Sequence, residues 1–455
     1  MRPRRILTPL VLLALLAASC ANHGGADAAG EDDSRSGGPS TTAAGAAKPG
    51  TFGTMTEAVC GPGDAKGATA QGVTADAIKV GVAGDAANTI IPDLNKEMYD
   101  ASEAFVAWCN EAGGINGRKI EMTKRDAGLL KVGEAITEAC AQDFALVGGG
   151  WALDTEAAGP RAQCGLVEFP GFTVSPEARE SPKQVQAIPF YKTVFPITQY
   201  NQIAKAFPGS IGNFGLMTTV AMGTKGRSFG TRLMEAIGPL GYKQVYNEEL
   251  PPPIAPIDNW RPYVEAMKSK GVKVLDFQVT PEYLVPLLKS MRDVGWYPDA
   301  IVLPANFYNE SMLEAESALK NVYVNLYAEP FIDAGESPAV KQFTEILDAN
   351  SPGWKKAALA ANSFSAWLLF AKAAKECGSQ LTRDCVEQKG LAVGTWDGGG
   401  LHAPGKPNTK QTPQPNVCGT LMAVTADGFT IDETKTAANE GIYNCSTKNA
   451  VSVPL

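Results

Sequence analysis

Histidine is almost missing from this 455-residue chain, which contains only His23 and His402. That scarcity argues against a Ser-His-Asp or Cys-His nucleophile, a histidine-rich metal site and a histidine proton shuttle. Charge is also sparse, at 19% of residues, and tilts towards acid, with 40 Lys and Arg against 48 Asp and Glu and a net charge of −8. A surface of that sign repels phosphate backbones, so no nucleic-acid partner is expected. No C-x-x-C pair occurs, which argues against a zinc site. Past the N-terminus no run reaches the ~18 apolar residues of a membrane span. With no nucleophile–base pair, paired carboxylates or metal cluster to assemble, an enzyme is not expected and no cofactor is implied. What the chain does have is 44% hydrophobic residues, enough to build packed interiors in two or three units of ordinary domain size.

The first nineteen residues have the zones of an export signal. Arg2, Arg4 and Arg5 form a positive head, Val11–Ala18 is a short apolar run, and Ala17-Ala18-Ser19 are small residues before Cys20. The run is far shorter than the ~20 residues that cross a bilayer, so 1–19 is expected to be cleaved. A cysteine directly after small residues resembles the bacterial lipobox, with Ala17 where leucine is usual, and marks Cys20 for lipidation. Residues 20–57 carry Gly24-Gly25, Gly37-Gly38-Pro39 and Thr41-Thr42 and almost no large apolar side chains, the composition of a flexible tether. Such a tether would reach roughly 30–36 Å. The expected location is the outer face of the cytoplasmic membrane, held by a lipid anchor.

Eight further cysteines fit an exported, oxidised chain. Cys377 and Cys385 flank a short polar turn, and Cys418 and Cys445 bracket a strand-like stretch, so each is expected to form a pair. Cys60, Cys109, Cys140 and Cys164 allow three connectivities, among which Cys60–Cys109 with Cys140–Cys164 is favoured.

Strands and helices alternate along the body. Ala77–Val82 reads as a strand, and Met98, Ala101, Phe105 and Trp108 recur at helical spacing up to the stop at Ala112-Gly113-Gly114. Lys119–Met122, Val132–Gln142, Phe144–Val147, a helix near 154–163 and Leu166–Phe169 continue the alternation. The pattern restarts at Phe214 and runs through strands at 244–248, 273–277 and 300–303, with helices at 229–240, 260–270 and 281–294. Alternation of this kind predicts parallel sheets with helices on both faces, and its restart predicts two lobes. Residues 338–375 read as helical with a break at Ser351-Pro352-Gly353, and 398–415 as a surface loop.

Ala104–Ile120 reads A-F-V-A-W-C-N-E-A-G-G-I-N-G-R-K-I. This resembles the signature of leucine/isoleucine/valine-type solute-binding proteins, the type I periplasmic-binding-protein family. The matching positions are Asn110, Gly113, Gly114, Ile115, Gly117 and Arg118. They should act as a helix stop and turn, not as ligand contacts. The resemblance covers roughly residues 71–432 and implies two doubly wound Rossmann-like lobes joined by three crossovers, closing on a solute like a Venus flytrap. The N-terminal lobe would be 71–195 with 331–394, and the C-terminal lobe 196–330 with 395–455. Crossings are expected near Phe195-Pro196, Glu329-Pro330 and Gly394–Trp396. The implied partners are a small solute and the permease of an ABC transporter, with the binding protein a monomer. A ligand-sensing receptor of the same fold is the alternative. It would usually continue into a membrane helix, whereas this sequence stops at Leu455.

Carried over residue by residue, the family's site departs from its pattern here. The loop after the third strand, Gly149–Asp154, has no hydroxyl until Thr155, where amino-acid binders hold a carboxylate. Thr173 or Ser175 before Pro176-Glu177 matches only with a shifted register. Phe229 stands where tyrosine is usual, and the acid that meets a substrate ammonium is replaced by Ala305 or Asn306. An unpaired buried ammonium costs several kcal/mol, so a standard α-amino acid is not the expected ligand. The candidate cleft is lined by Trp151, Ala152, Phe172, Phe229, Phe307 and Tyr308, with Thr173, Thr280 and Asn306 as polar points. It suits a neutral or weakly polar organic solute, aromatic ones included. Gly148-Gly149-Gly150 fails the nucleotide-binding spacing because Leu153 occupies the last glycine position.

Overall fold

The computed structural model describes residues 48–219, 222, 228–250, 256–332, 337–407 and 416–455. The export signal, Cys20, the first part of the tether and the tip of the 398–415 loop lie outside the described residues.

Two parallel sheets organise the body. The first is built from β1 (Ala77–Gly84), β2 (Lys119–Asp126), β3 (Ala145–Val147) and β4 (Val167–Phe169), in the order β2-β1-β3-β4. Its connecting helices are α1 (Lys96–Glu111), α2 (Val132–Gln142) and α3 (Thr155–Gln163). After β5 (Val194–Pro196) and α4 (Thr198–Ala206), the second sheet takes β6 (Phe214–Thr219), β7 (Gln244–Leu250), β8 (Val274–Phe277), β9 (Ala300–Leu303) and β10 (Val322–Leu326). Its connecting helices are α5 (Phe229–Ile237), α6 (Arg261–Ser269) and α7 (Pro281–Val294). The chain then returns to the first sheet. There α8 (Pro338–Asn350) packs on α1, α9 (Ala358–Cys377) packs on α1, β3 and β4, and α10 (Arg383–Leu391) packs on α9 and β4. It crosses back to extend the second sheet antiparallel with β11 (Cys418–Thr425) and β12 (Gly428–Ile431). A short α11 (Glu433–Thr436), β13 (Asn444–Cys445) against β11, and β14 (Ala450–Ser452) finish the fold.

The chain therefore passes between the sheets three times, as the resemblance implies. These passages lie between β4 and β6, between β10 and α8, and between α10 and β11. The first is held by β14, which pairs with β5 through Phe195 and Val451, and the second and third are tied to each other, Glu329 N–H donating to Leu401 and Ala403 N–H to Tyr327.

The family signature acts as a turn. Asn110 closes the end of α1 onto β2 by donating to the Ile120 carbonyl (2.9 Å) and accepting its N–H (2.8 Å). Gly114 has φ +78° and a Cβ there would fall 2.1 Å from the Arg118 carbonyl oxygen, so only glycine fits. The buried Arg118 guanidinium donates to the carbonyls of Thr74, Gly378 and Lys66. The motif's arginine is thus a clasp for three loops.

The tether expected over 20–57 extends too far into the body. Phe52 is fully buried against Phe364 and Trp108, with ring centroids 5.0 and 6.3 Å away. Gly53 N–H donates to Gln342 and Thr54 N–H to Gly399. A single aromatic among small polar residues gives no periodicity, yet it seats residues 48–57 on the fold. The structure pairs Cys60 with Cys109, Cys140 with Cys164, Cys377 with Cys385 and Cys418 with Cys445, which includes the favoured connectivity. Between β9 and β10 the chain forms 3-10 turns over Glu310–Ala318, kinked at Glu316.

Candidate functional site

In an open parallel sheet the loops at the C-terminal strand ends form the natural ligand crevice. Here those loops from both sheets, with the crossing segments, enclose a cavity of about 240 Å³. The first sheet contributes Ala152 after β3, and Phe172, Thr173 and Arg179 after β4. The second contributes Thr219 at the end of β6, Phe229 opening α5, Thr280 after β8 and Asn306 after β9. Phe195, Pro196 and Tyr327 come from the crossings, and Leu94 and Glu97 from the start of α1.

Six of the expected contacts therefore share this cavity: Ala152, Phe172, Thr173, Phe229, Thr280 and Asn306. Trp151, Phe307 and Tyr308 do not. Trp151 is 2% exposed, packs under α2 and α3, and donates its indole N–H to the Arg125 carbonyl at 2.9 Å. Phe307 is buried edge-on to Phe277. Tyr308 lies between Phe331 and Phe429 with its hydroxyl accepting the Phe331 N–H at 2.7 Å. Adjacent residues on a tight turn point in opposite directions, and sequence position alone does not say which faces the gap. Of the two hydroxyls before Pro176, Thr173 lines the cavity, whereas Ser175 Oγ is spent on the Ala178 N–H.

The loops are held by buried carboxylates. Asp85 accepts N–H groups from Leu129 (2.8 Å) and Ala152 (2.6 Å), and Asp154 accepts those of Val174 (2.7 Å) and Ser175 (2.9 Å). Burial raises both to about 6 against these hydrogen bonds. Behind the second sheet's loops, Asp276 accepts from Tyr200 Oη (2.6 Å) and Gln278 Nε2 (2.8 Å), and burial raises it to about 7.

Charged groups in the cavity wall were not foreseen from sequence. Arg179 follows Ala178 on the turn after Pro176-Glu177, and no spacing rule singled it out. Its guanidinium lies 5.9 Å from the Phe190 ring centre, and burial lowers it to about 10 despite the attraction of Asp154. Glu97 is 3% exposed, and burial raises it to about 7 against the pull of Lys355. Lys355, which precedes α9, reaches Glu282 on α7 at 3.3 Å. That ion pair joins the two sheets' helices across the cavity's edge. Thr173 Oγ1, Thr280 Oγ1, Glu97 Oε2 and Arg179 Nε are buried without a hydrogen-bond partner among the described residues, an arrangement that invites a ligand. Cys418, Glu440 and Cys445 come close enough to suggest a metal, but the two sulfurs are joined in a disulfide and offer no thiolate.

A family model described as periplasmic binding protein matches residues 77–429. The chain belongs to that family. Its members are solute-binding proteins, and this chain has their fold. A fatty acid ABC transporter substrate-binding protein from Thermomonospora curvata superposes with a TM-score of 0.70 at 19% identity, over 87% of this chain and 99% of that one. The isoleucine complex of a branched-chain amino acid transporter substrate-binding protein from Streptococcus pneumoniae gives 0.63 at 14% identity, over 78% and 98%. A solute-binding protein from R. palustris in complex with 4-hydroxybenzoate gives 0.62 at 14% identity, over 81% and 97%. None of the curated proteins matches the chain in sequence. No helix among the described residues is long and apolar enough to cross a membrane.

Proposed function

We propose that this protein captures a small organic solute in the cavity between its two sheets and delivers it, without chemical change, to the permease of an ABC transporter. The observation that carries the reading is the cavity itself. Apolar side chains from the C-terminal strand ends of both sheets wall it, with a few inward polar atoms, and three chain crossings behind it can serve as a hinge. Phe172 and Phe229 supply apolar walls from opposite sheets, and Ala152, Thr173, Thr280 and Asn306 complete the first contacts. The lobes are proposed as 71–195 with 331–394 and 196–330 with 395–455, extended at the start by residues 48–70. Export by a signal peptide at 1–19, then removed, and lipidation of Cys20 would hold the protein as a monomer outside the cytoplasmic membrane, close to its permease. A standard α-amino acid is disfavoured because Ala305 and Asn306 replace the family's ammonium-pairing acid. The three solved relatives carry names for a fatty acid, isoleucine and 4-hydroxybenzoate, so the fold accommodates apolar bodies of this kind.

Native mass spectrometry of protein taken from its own cells tests the reading, expecting one co-purified solute per chain. X-ray scattering should then change when that solute is removed and restored. Protein that carries nothing, binds nothing from a broad solute panel and scatters identically throughout would refute it.

A further inference from the structure

Arg179 is the cation of the cavity wall with no dedicated partner. The cavity also holds two acids: Glu282 contacts Lys355 at 3.3 Å, whereas Glu97 feels the same lysine only through space and keeps a buried Oε2 without a hydrogen-bond partner among the described residues. Arg179 has no such match. Its Nε is buried without an acceptor among the described residues, and its face is turned to the Phe190 ring. The acid whose charge acts on it, Asp154, already accepts the N–H groups of Val174 and Ser175. A second guanidinium, that of Arg232, adds positive potential while donating its own N–H groups to the carbonyls of Lys192 and Pro454. A cation left this way in an apolar wall is costly unless an anion arrives. A carboxylate suits one planar guanidinium, which can donate to it twice, and the unpartnered hydroxyls of Thr173 and Thr280 line the same cavity.

We propose that Arg179 binds the carboxylate of the solute, and that the solute is a compact monocarboxylic acid with an apolar aliphatic or aryl body and no need of an ammonium group. The inference rests on the solute-binding reading above and narrows it from a neutral or weakly polar ligand to an anionic one. Size follows from the cavity. A cavity of about 240 Å³ with apolar walls suits a small body such as a six-carbon acid or benzoate. The amino-acid alternative would need a charged acid for its ammonium, and Glu97, the candidate in this cavity, is pushed by burial towards its neutral form.

Calorimetric titration with hexanoate, 4-methylpentanoate and benzoate, against hexanamide, benzamide and leucine, tests the proposal in the unaltered protein. The acids should bind at least tenfold more tightly than their amides, and 4-methylpentanoate more tightly than leucine, which has the same body plus an ammonium group. Arg179→Gln should erase the acid-over-amide preference by weakening the acids at least tenfold more than the amides, and a circular-dichroism melt checks that the variant is folded. Amides that bind as tightly as acids would overturn the proposal and leave the solute-binding reading standing. Leucine above 4-methylpentanoate, or acids held equally by Arg179→Gln, would do the same. Absence of binding by every probe would overturn the proposal too, and a change in scattering with the native solute would then separate that outcome from failure of the broader reading.

Discussion

Replacing Phe52 with alanine probes whether the residues before Cys60 belong to the fold. The ring is fully buried, lies 5.0 Å from Phe364 and 6.3 Å from Trp108, and joins the cluster that unites α1, α8 and α9. Core Phe→Ala changes cost about 3–5 kcal/mol, and the lost aromatic pairs account for about 0.5–1.5 kcal/mol each beyond simple burial. The backbone around it stays anchored, because Gln342 spans Gly53 and Thr51 and the disulfide at Cys60 fixes the end of the segment. Relaxation into the hole is therefore limited, and a loss of about 3–4 kcal/mol is expected. Urea unfolding followed by tryptophan fluorescence measures it as a lowered midpoint with unchanged slope. Hydrogen exchange at 48–60 should quicken in the same variant. A loss below about 1 kcal/mol, or a midpoint equal to that of the original protein after removal of residues 1–57, would show that the segment only rests on the body.

The remaining expectations concern the site and its charges. Trp151→Phe should cost about 1–2 kcal/mol through the lost bond to Arg125 yet leave solute affinity unchanged, whereas Phe172→Ala should weaken binding about fivefold; equal effects on affinity by calorimetry would place Trp151 in the site after all. Glu97 and Asp276 are raised to about 7, and Asp85 and Asp154 to about 6. The folded state therefore holds protons that the unfolded chain has released between pH ~4 and 7, so stability falls as pH rises through that window. Thermal melts should show a higher midpoint at pH 5.5 than at 7.5, and the reverse order would contradict the burial of these acids. The Lys355–Glu282 pair is about a quarter exposed on each side, which limits it to about 0–1 kcal/mol. Glu282→Gln should weaken solute binding no more than about fivefold, and Lys355→Met added to it should do little further; additive losses would mean the two do not act as a pair.

Much of the fold is legible in the chain because its signals are local. The limits of α2, α7 and β9 match their expected ranges, since glycine stops, proline starts and apolar spacing are properties of a few consecutive residues. Asn110 and Arg118 were recognised as a turn signature, and their hydrogen bonds show why those residue types are needed. The cavity was legible only in part. Loops could be assigned to it from strand ends, so Phe172, Thr173, Phe229, Thr280 and Asn306 share it, but Tyr308 was lost to the core because a 3-10 turn over Ala305–Phe307 rotates it inward. Arg179 carried no periodic or motif signal.

By itself the sequence determined the alternation of strands and helices, the two-sheet plan, the oxidised cysteine framework and the family to which the chain belongs. Tertiary structure alone decided which aromatics face the gap, that Phe52 draws the supposed tether onto the body, and that Arg179 stands in the cavity wall without an anion. The reason is physical. Spacing along a chain reports that a side chain must be buried or turned, but what it meets there is set by residues far away in the chain, as Phe52 meets Phe364 and Lys355 meets Glu282.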